Sequence, residues 1–362
     1  EKLTRVRYRI DGILQERLTI PRQLHEALVS RIKILSSMKI DEKRIPQDGR
    51  FNFKTADEEV DLRVSDLPTS WGEKIVMRLL KKTGGIPDLP KLGLRGRTLK
   101  NLEDAVLRPH GIIIICGPTG SGKTTTLYSL IQRLNTAKVN IITLEDPIEY
   151  KIVGVNQVQV NPAVGLTFAS GLRAFLRQDP NIILVGEIRD QETADLAVQA
   201  SLTGHLVFST LHTNDAAGTL PRLLDMKVEP FLLASSMTAI VAQRVLRRID
   251  EKTKESYTPD PKIVNDIKNV LGPLWPDNRE IKLYRGKPTR ENNNSGYLGR
   301  IAIFEVLPVS EKIARLIIEH SAASAIEKVA REEGMITLKQ DGYLKVLEGV
   351  TTIEEVLRVA QE

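Results

Sequence analysis

The chain has 362 residues, a formal net charge of +6 at pH 7, 4% aromatic residues and a single cysteine, Cys116. That length allows two domains, each with its own core, and one cysteine excludes a disulfide framework and fits a reducing cytosol. The positive balance permits contact with nucleic acid or an acidic membrane without requiring it, but so few aromatics make a poor platform for stacking single strands, and a solvated surface of mixed charge is expected.

No apolar run approaches the ~20 residues that span a bilayer. The longest, 231–246, is interrupted by Ser235, Ser236, Thr238, Gln243 and Arg244. No signal peptide opens the chain. It starts at Glu1 in place of methionine, as expected of a piece excised from a longer protein.

Residues 1–82 read as a small α+β domain. Strand-like alternation over 5–10 meets a turn at Asp11 and Gly12; an amphipathic stretch covers 21–38, and further strand signals lie at 50–53 and 60–64. The glycine and proline density of Thr83-Gly84-Gly85-Ile86-Pro87-Asp88-Leu89-Pro90 marks 83–94 as a linker. From 95 to 250 strands alternate with helices, the pattern of a parallel sheet with crossover helices. The rest, 251–362, opens with a polar insert broken by Pro259, Pro261, Pro273, Pro276 and Pro288, reaches a surface loop at 292–296, and continues as helices. No internal repeat is visible.

Within 95–250, Gly117-Pro118-Thr119-Gly120-Ser121-Gly122-Lys123-Thr124 spells a complete P-loop. The apolar run 112–116 ahead of it reads as a buried strand, in which Cys116 is a small hydrophobe. Behind it, Leu127, Leu130, Ile131 and Leu134 share one helix face. A glycine-rich turn between strand and helix aims backbone N–H groups and a helix N-terminus at a phosphate chain. Lys123 is placed to reach the β- and γ-phosphates, and the Thr124 hydroxyl, with Thr125 beside it, to ligate Mg²⁺.

Three polar clusters follow, each after an apolar strand. Thr143-Leu144-Glu145-Asp146-Pro147-Ile148-Glu149 puts carboxylates at a strand end, where they orient an attacking water or hold the metal, unless the turn is merely solvated. Gly186-Glu187-Ile188-Arg189-Asp190 has the Walker B form of apolar strand then carboxylate. Thr203-Gly204-His205 and Ser209-Thr210-Leu211-His212-Thr213-Asn214 carry histidines that are either structural or sense the γ-phosphate; no cysteine supports a zinc site around them.

In this order the four blocks resemble the Walker A, Asp box, Walker B and His box of the secretion ATPase superfamily, the hexameric motors of type II secretion and type IV pili. The resemblance runs nearly end to end. Ile45-Pro46-Gln47-Asp48-Gly49-Arg50, Asp61-Leu62-Arg63 and Gly72-Glu73-Lys74-Ile75-Val76-Met77-Arg78 look like the PAS-like α+β domain that precedes the motor in the assembly and export branch. Gly299-Arg300-Ile301-Ala302-Ile303-Phe304-Glu305 and the Asp341-Gly342 and 349–355 stretches look like its C-terminal helical region. The retraction branch is expected to carry a different N-terminal domain.

The resemblance implies an α/β fold with a RecA-like P-loop core and a parallel-rich sheet. It implies an ATP hydrolase using Mg²⁺ through Thr124 and Glu187, assembled as a homohexamer, cytoplasmic and peripheral to the inner membrane, acting on a membrane platform protein and not on nucleic acid. Residue by residue, Glu149 aligns with the catalytic glutamate while Glu145 and Asp146 support it; Glu187 is the Walker B carboxylate; His205 and His212 are the His-box histidines. Arg50, Arg63 and Arg78 match a cluster that swings onto the phosphates, and Arg173, Arg177 and Arg189 supply further positive charge near the nucleotide. Type IV pilus assembly and type II secretion stay equally open. The rival readings are a nucleic-acid translocase, which would show DNA-stimulated turnover, and a non-hydrolysing regulatory paralogue, against which Glu149 and Glu187 stand. One departure is clear. Where this branch commonly carries a tetracysteine zinc module, residues 282–295 hold no cysteine, so no such zinc is expected and the module's contribution is absent or replaced.

Overall fold

Two units make up the chain, Glu1–Gly85 and Ile86–Glu362, and the computed structural model describes residues 3–10, 12–54, 59–81, 85–276 and 281–360. In the first unit, β1 (Leu3–Ile10) and β2 (Ile13–Pro21) form an antiparallel hairpin. Asp11 of the expected turn lies outside the described residues, as do Thr83 and Gly84 of the expected linker. The amphipathic stretch becomes α1 (His25–Leu35), and β3 (Gln47–Lys54), β4 (Glu59–Thr69) and β5 (Gly72–Lys81) form an antiparallel sheet in chain order.

Alternation along β4 sorts its two faces. Val60, Leu62 and Val64 are buried with Ile32 of α1 and with Met38. Lys33, also buried, ties α1 to the sheet: its Nζ lies 2.9 Å from Asp66 Oδ2 and 2.8 Å from the Glu42 carbonyl oxygen, and it pairs with Glu73. On the other face, Arg50, Arg63 and Arg78 stand directly opposite one another across the three strands.

The second unit opens with α2 (Leu89–Leu92) and α3 (Gly96–Val106). The second half of the expected linker is therefore part of this unit, because Leu89 and Leu94 bury their side chains in its core. There follow β6 (Gly111–Cys116), α4 (Lys123–Leu134), β7 (Ile141–Glu145), β8 (Asn156–Gln159), α5 (Phe168–Phe175), β9 (Ile182–Val185), α6 (Gln191–Leu202) and β10 (Leu206–Leu211). Then come α7 (Thr219–Asp225), α8 (Pro230–Ser236), β11 (Met237–Ile249), β12 (Lys254–Tyr257), α9 (Pro261–Leu271), β13 (Leu283–Gly286) and β14 (Tyr297–Pro308). Four helices close the chain: α10 (Glu311–Ile318), α11 (Ala323–Glu332), α12 (Leu338–Leu347) and α13 (Ile353–Ala360).

Seven strands form one sheet in the order β14-β11-β6-β10-β9-β7-β8, parallel throughout except for β14. Helices cover both faces, which is why β6 is apolar at every position. Ile112, Ile114 and Cys116 pack towards α5, α6 and α10, whereas Ile113 and Ile115 pack towards α3 and α4.

The expected boundary at 250 does not mark the end of this core. β14 pairs antiparallel along β11 and sends Ala302, Phe304 and Val306 into the same layer as α3 and α4. An unpaired 13-residue strand leaves a row of backbone donors and acceptors that another strand must satisfy, and that partner comes from 48 or more residues further on, a pairing no local periodicity reveals. In the stretch without cysteine, the two-stranded β12–β13 sheet is held by a hydrogen-bonded knot around buried Asn292. Its Nδ2 donates to Asp250 Oδ2 at 3.0 Å and to the Lys287 carbonyl at 2.8 Å, and its Oδ1 accepts from the N–H groups of Thr289 and Gly296.

Candidate active site

Because β6, β7, β9 and β10 are parallel and in register, their carboxyl ends open on one edge of the sheet, the place where α/β folds bind ligands. Cys116 pairs with Leu211, Val185 with Ser209 and Leu144 with Val185. The P-loop, the 145–149 turn, Glu187 and His212 therefore leave the sheet side by side.

Gly117, Pro118, Thr119, Gly120, Ser121 and Gly122 wrap from β6 to the start of α4, where Lys123, Thr124 and Thr125 form the first turn. The Lys123 ammonium folds over the loop, donating to the Gly117 carbonyl at 2.7 Å and the Pro118 carbonyl at 3.2 Å. Burial pushes its pKa below the ordinary lysine value, opposed by the negative charge of Glu187 and reinforced by Arg244. An anion entering the loop would offset that desolvation.

Glu187 is the centre of a charged group. One carboxylate oxygen pairs with Arg189, and the other lies 3.4 Å from His212 Nε2; Arg189 also reaches Asp146 Oδ2 at 3.5 Å. The Walker B strand, the Asp box and the end of β10 are thus joined at side-chain level. Glu145 behaves differently. It is buried, taking hydrogen bonds from Tyr128 of α4, from Thr143 Oγ1 at 2.6 Å and from Gln157 Nε2 at 3.2 Å. It is an anchor beneath the turn and not a group open to a substrate. Glu149 sits at the outer end of the turn, half-buried, with its backbone N–H donating to Tyr128 at 3.3 Å.

The profile of the family described as Type II/IV secretion system protein matches residues 1–358. The chain belongs to this family. It is 48% identical over its whole length to type II secretion system protein E of Xanthomonas campestris pv. campestris, and 47% identical over 352 residues to the type IV pilus assembly ATPase PilB of Thermus thermophilus. It spans 63% and 39% of those two relatives' lengths. Among solved structures, the pilus retraction motor PilT with bound ADP superposes with a TM-score of 0.65 at 28% identity over 98% of this chain and 90% of its own. The ATPase DotB of Legionella pneumophila gives 0.68 at 22% identity over 97% and 88%, a likeness of fold alone. The retraction motor's match covers both units, where a different preceding domain was expected in that branch.

Not every residue expected at the site reaches it. His205 precedes β10, with its carbonyl accepting from Gly111 N–H at the start of β6 and its ring bonded to the Ala200 carbonyl and to Thr203. It lies at the amino edge of the sheet, about 23 Å along the strand from His212 at ~3.3 Å per residue. Two histidines seven apart flank a six-residue strand and so point to opposite edges. Arg177 is also at that edge, next to Gln178, whose carbonyl accepts from Asn140 ahead of β7. It bonds the Arg173 carbonyl, and Arg173 pairs with Glu192 in the first turn of α6. Arg189 alone of this trio joins the Glu187 group. The sequence reading missed Gln243 and Arg244, which β11 carries past the end of β6 alongside the P-loop. Gln243 Oε1 accepts from Thr126 at 2.8 Å, and Arg244 donates to the Asn214 carbonyl at 2.9 Å. Their signal was present: two long polar residues interrupting an apolar strand. Among the described residues no group of three or more His, Cys, Asp or Glu is arranged to hold a metal ion.

Proposed function

We propose that this chain is the motor part of a secretion or pilus-assembly ATPase that hydrolyses ATP with Mg²⁺. The observation that carries the reading is the convergence of Lys123, Glu187, His212 and the turn bearing Glu149 on one edge of the sheet, in a chain 47–48% identical to a type II secretion protein E and a type IV pilus assembly ATPase. Lys123 and the P-loop backbone would bind the phosphates, and Glu149 would orient the attacking water. The Thr124 hydroxyl and the Glu187 carboxylate are hard oxygen donors of the kind Mg²⁺ prefers; the ion would neutralise charge on the phosphate oxygens. His212, in contact with Glu187, is placed to register the γ-phosphate. To the row of Arg50, Arg63 and Arg78 we assign additional positive charge for the transferring phosphoryl group. Like charges directly opposite across strands destabilise a sheet, which favours a role in ligand binding over one in folding.

The working assembly would be a cytoplasmic homohexamer, peripheral to the inner membrane and acting on a platform protein; no described helix is long and apolar enough to cross a membrane. The identities to assembly and secretion proteins, against 28% to the retraction motor, favour the assembly and export branch. The test is steady-state ATP hydrolysis with a parallel nucleotide-binding titration. Lys123→Ala should lose roughly a hundredfold in turnover, Glu149→Gln should bind ATP and hydrolyse it slowly, and His205→Ala should stay near wild type. Normal turnover by Glu149→Gln beside a dead Glu187→Gln would overturn the assignment of the water-orienting carboxylate.

A further inference from the structure

The P-loop helix reaches the Asp-box turn through a single buried phenol. Tyr128 sits one helical turn after Thr124 and is fully buried. A phenol oxygen offers one donor and two acceptor positions, and all three are used: the O–H donates to Glu145 Oε2, and the oxygen accepts from the Glu149 backbone N–H at 3.3 Å and Gln157 Nε2 at 3.4 Å. Gln157 extends the tie, approaching the Tyr150 carbonyl at 3.2 Å with Nε2 and accepting from Ile152 N–H at 2.7 Å with Oε1. The Tyr150 ring meets Tyr128 edge-on, with centroids 4.6 Å apart. The turn is thereby fastened at Glu149, Tyr150 and Ile152 to a polar cluster whose hub belongs to the helix that starts with Lys123 and Thr124.

We infer that Tyr128 is a positioning residue for hydrolysis, setting the distance between the phosphate-binding helix and Glu149. The inference rests on the proposed role of Glu149. Glu145 is the counterpart that holds the phenol in place, meeting three uncharged donors instead of substrate. Burial, with Glu145 beside it, raises the phenol's pKa, so the O–H stays a donor at working pH. Tyr128→Phe keeps the ring and its packing but removes one donor from Glu145 and one acceptor from Glu149, and a catalytic group displaced by near 1 Å loses up to about a hundredfold in rate.

The experiment compares Tyr128→Phe with the wild type in the full chain, measuring kcat for ATP hydrolysis, affinity for a fluorescent ADP analogue and melting temperature. The expected result is a kcat lower by roughly 10- to 100-fold with nucleotide affinity within about twofold, since the phosphate ligands precede Tyr128 on α4. In a Glu149→Gln background the same substitution should cost nothing further, because the group it positions is already disabled. Equal losses in both backgrounds, or a parallel loss of nucleotide affinity, would show a general packing role and overturn the inference. So would wild-type kcat in Tyr128→Phe beside a slow Glu149→Gln. If Tyr128→Phe does not fold, Gln157→Leu, which cuts the other tie, must show the same pattern or the inference fails. Wild-type turnover by Glu149→Gln would instead defeat the underlying reading of the carboxylate.

Discussion

Two glycines of the same loop should respond differently to the same substitution. Gly117 has φ +148°, and an added Cβ would stand 2.5 Å from the Gln243 carbonyl oxygen and 2.7 Å from Ser121 Oγ. The first distance is about 0.9 Å short of the 3.4 Å at which ordinary contact begins. The Ser121 hydroxyl can turn away, but the Gln243 carbonyl cannot. It belongs to a strand paired on both sides at that level, Ala242 with Cys116 and Gln243 with Phe304. The loop must therefore move. Backbone strain of roughly 1–3 kcal/mol and overpacking of a similar size, roughly 1–3 kcal/mol, act together in Gly117→Ala. Gly120, at φ +84°, has nothing within 4 Å of an added Cβ, so Gly120→Ala meets only the left-handed backbone term of roughly 1–2 kcal/mol. Displacing the phosphate cradle by close to 1 Å should cost Gly117→Ala about a hundredfold in turnover and a clear loss of nucleotide affinity, with Gly120→Ala affected far less. Fluorescent-nucleotide titration, steady-state hydrolysis and thermal melting on the same preparations give the comparison. Equal behaviour of the two variants, or a Gly117→Ala that binds and turns over normally, would refute the claim that β11 is the rigid wall of this loop.

Glu305 predicts a pH dependence. Burial pushes its carboxyl from 4.5 to about 7, against hydrogen bonds from the N–H groups of Ala216 and Leu338. The native state then holds a proton that the unfolded chain releases, so stability falls as pH rises from about 4.5 to about 7, by roughly 3 kcal/mol. Glu305→Gln removes that slope: the variant-minus-wild-type difference in urea unfolding of the second unit should move in the variant's favour between pH 5 and pH 8, and parallel curves would count against it. In the first unit, Lys33→Ala leaves Asp66 and Glu73 without their cation in a buried setting. The expected loss is roughly 3–5 kcal/mol, read as early deuterium exchange in α1 and β4; unchanged protection there would show that the ion pair contributes nothing net.

The P-loop was legible because its function is local. The turn, the phosphate-facing N–H groups and the helix start are consecutive residues, and so are the strand and carboxylate of Glu187. The same locality explains the failures. His205 and His212 form one motif in sequence, yet a strand of fixed rise lies between them and carries them to opposite edges. Glu145 and Glu149 look alike as carboxylates of one turn, but Glu145 ends β7 inside the core, where three donors meet it, and Glu149 lies past the strand at the rim.

What the sequence determined by itself was the run of parallel strands with crossover helices, the phosphate loop and the family to which these blocks belong. All of these follow from periodicity and from residues near one another along the chain. Only the tertiary structure decided that Gln243 and Arg244 stand beside the P-loop, that residues 297–308 are the strand β14 completing the sheet where helices were expected, that Asn292 fastens the cysteine-free β12–β13 pair, and that Arg50, Arg63 and Arg78 share one row. Each of these is set by strand pairing or by the burial of a polar side chain with its partner, and both depend on which distant segment supplies the missing donor or acceptor.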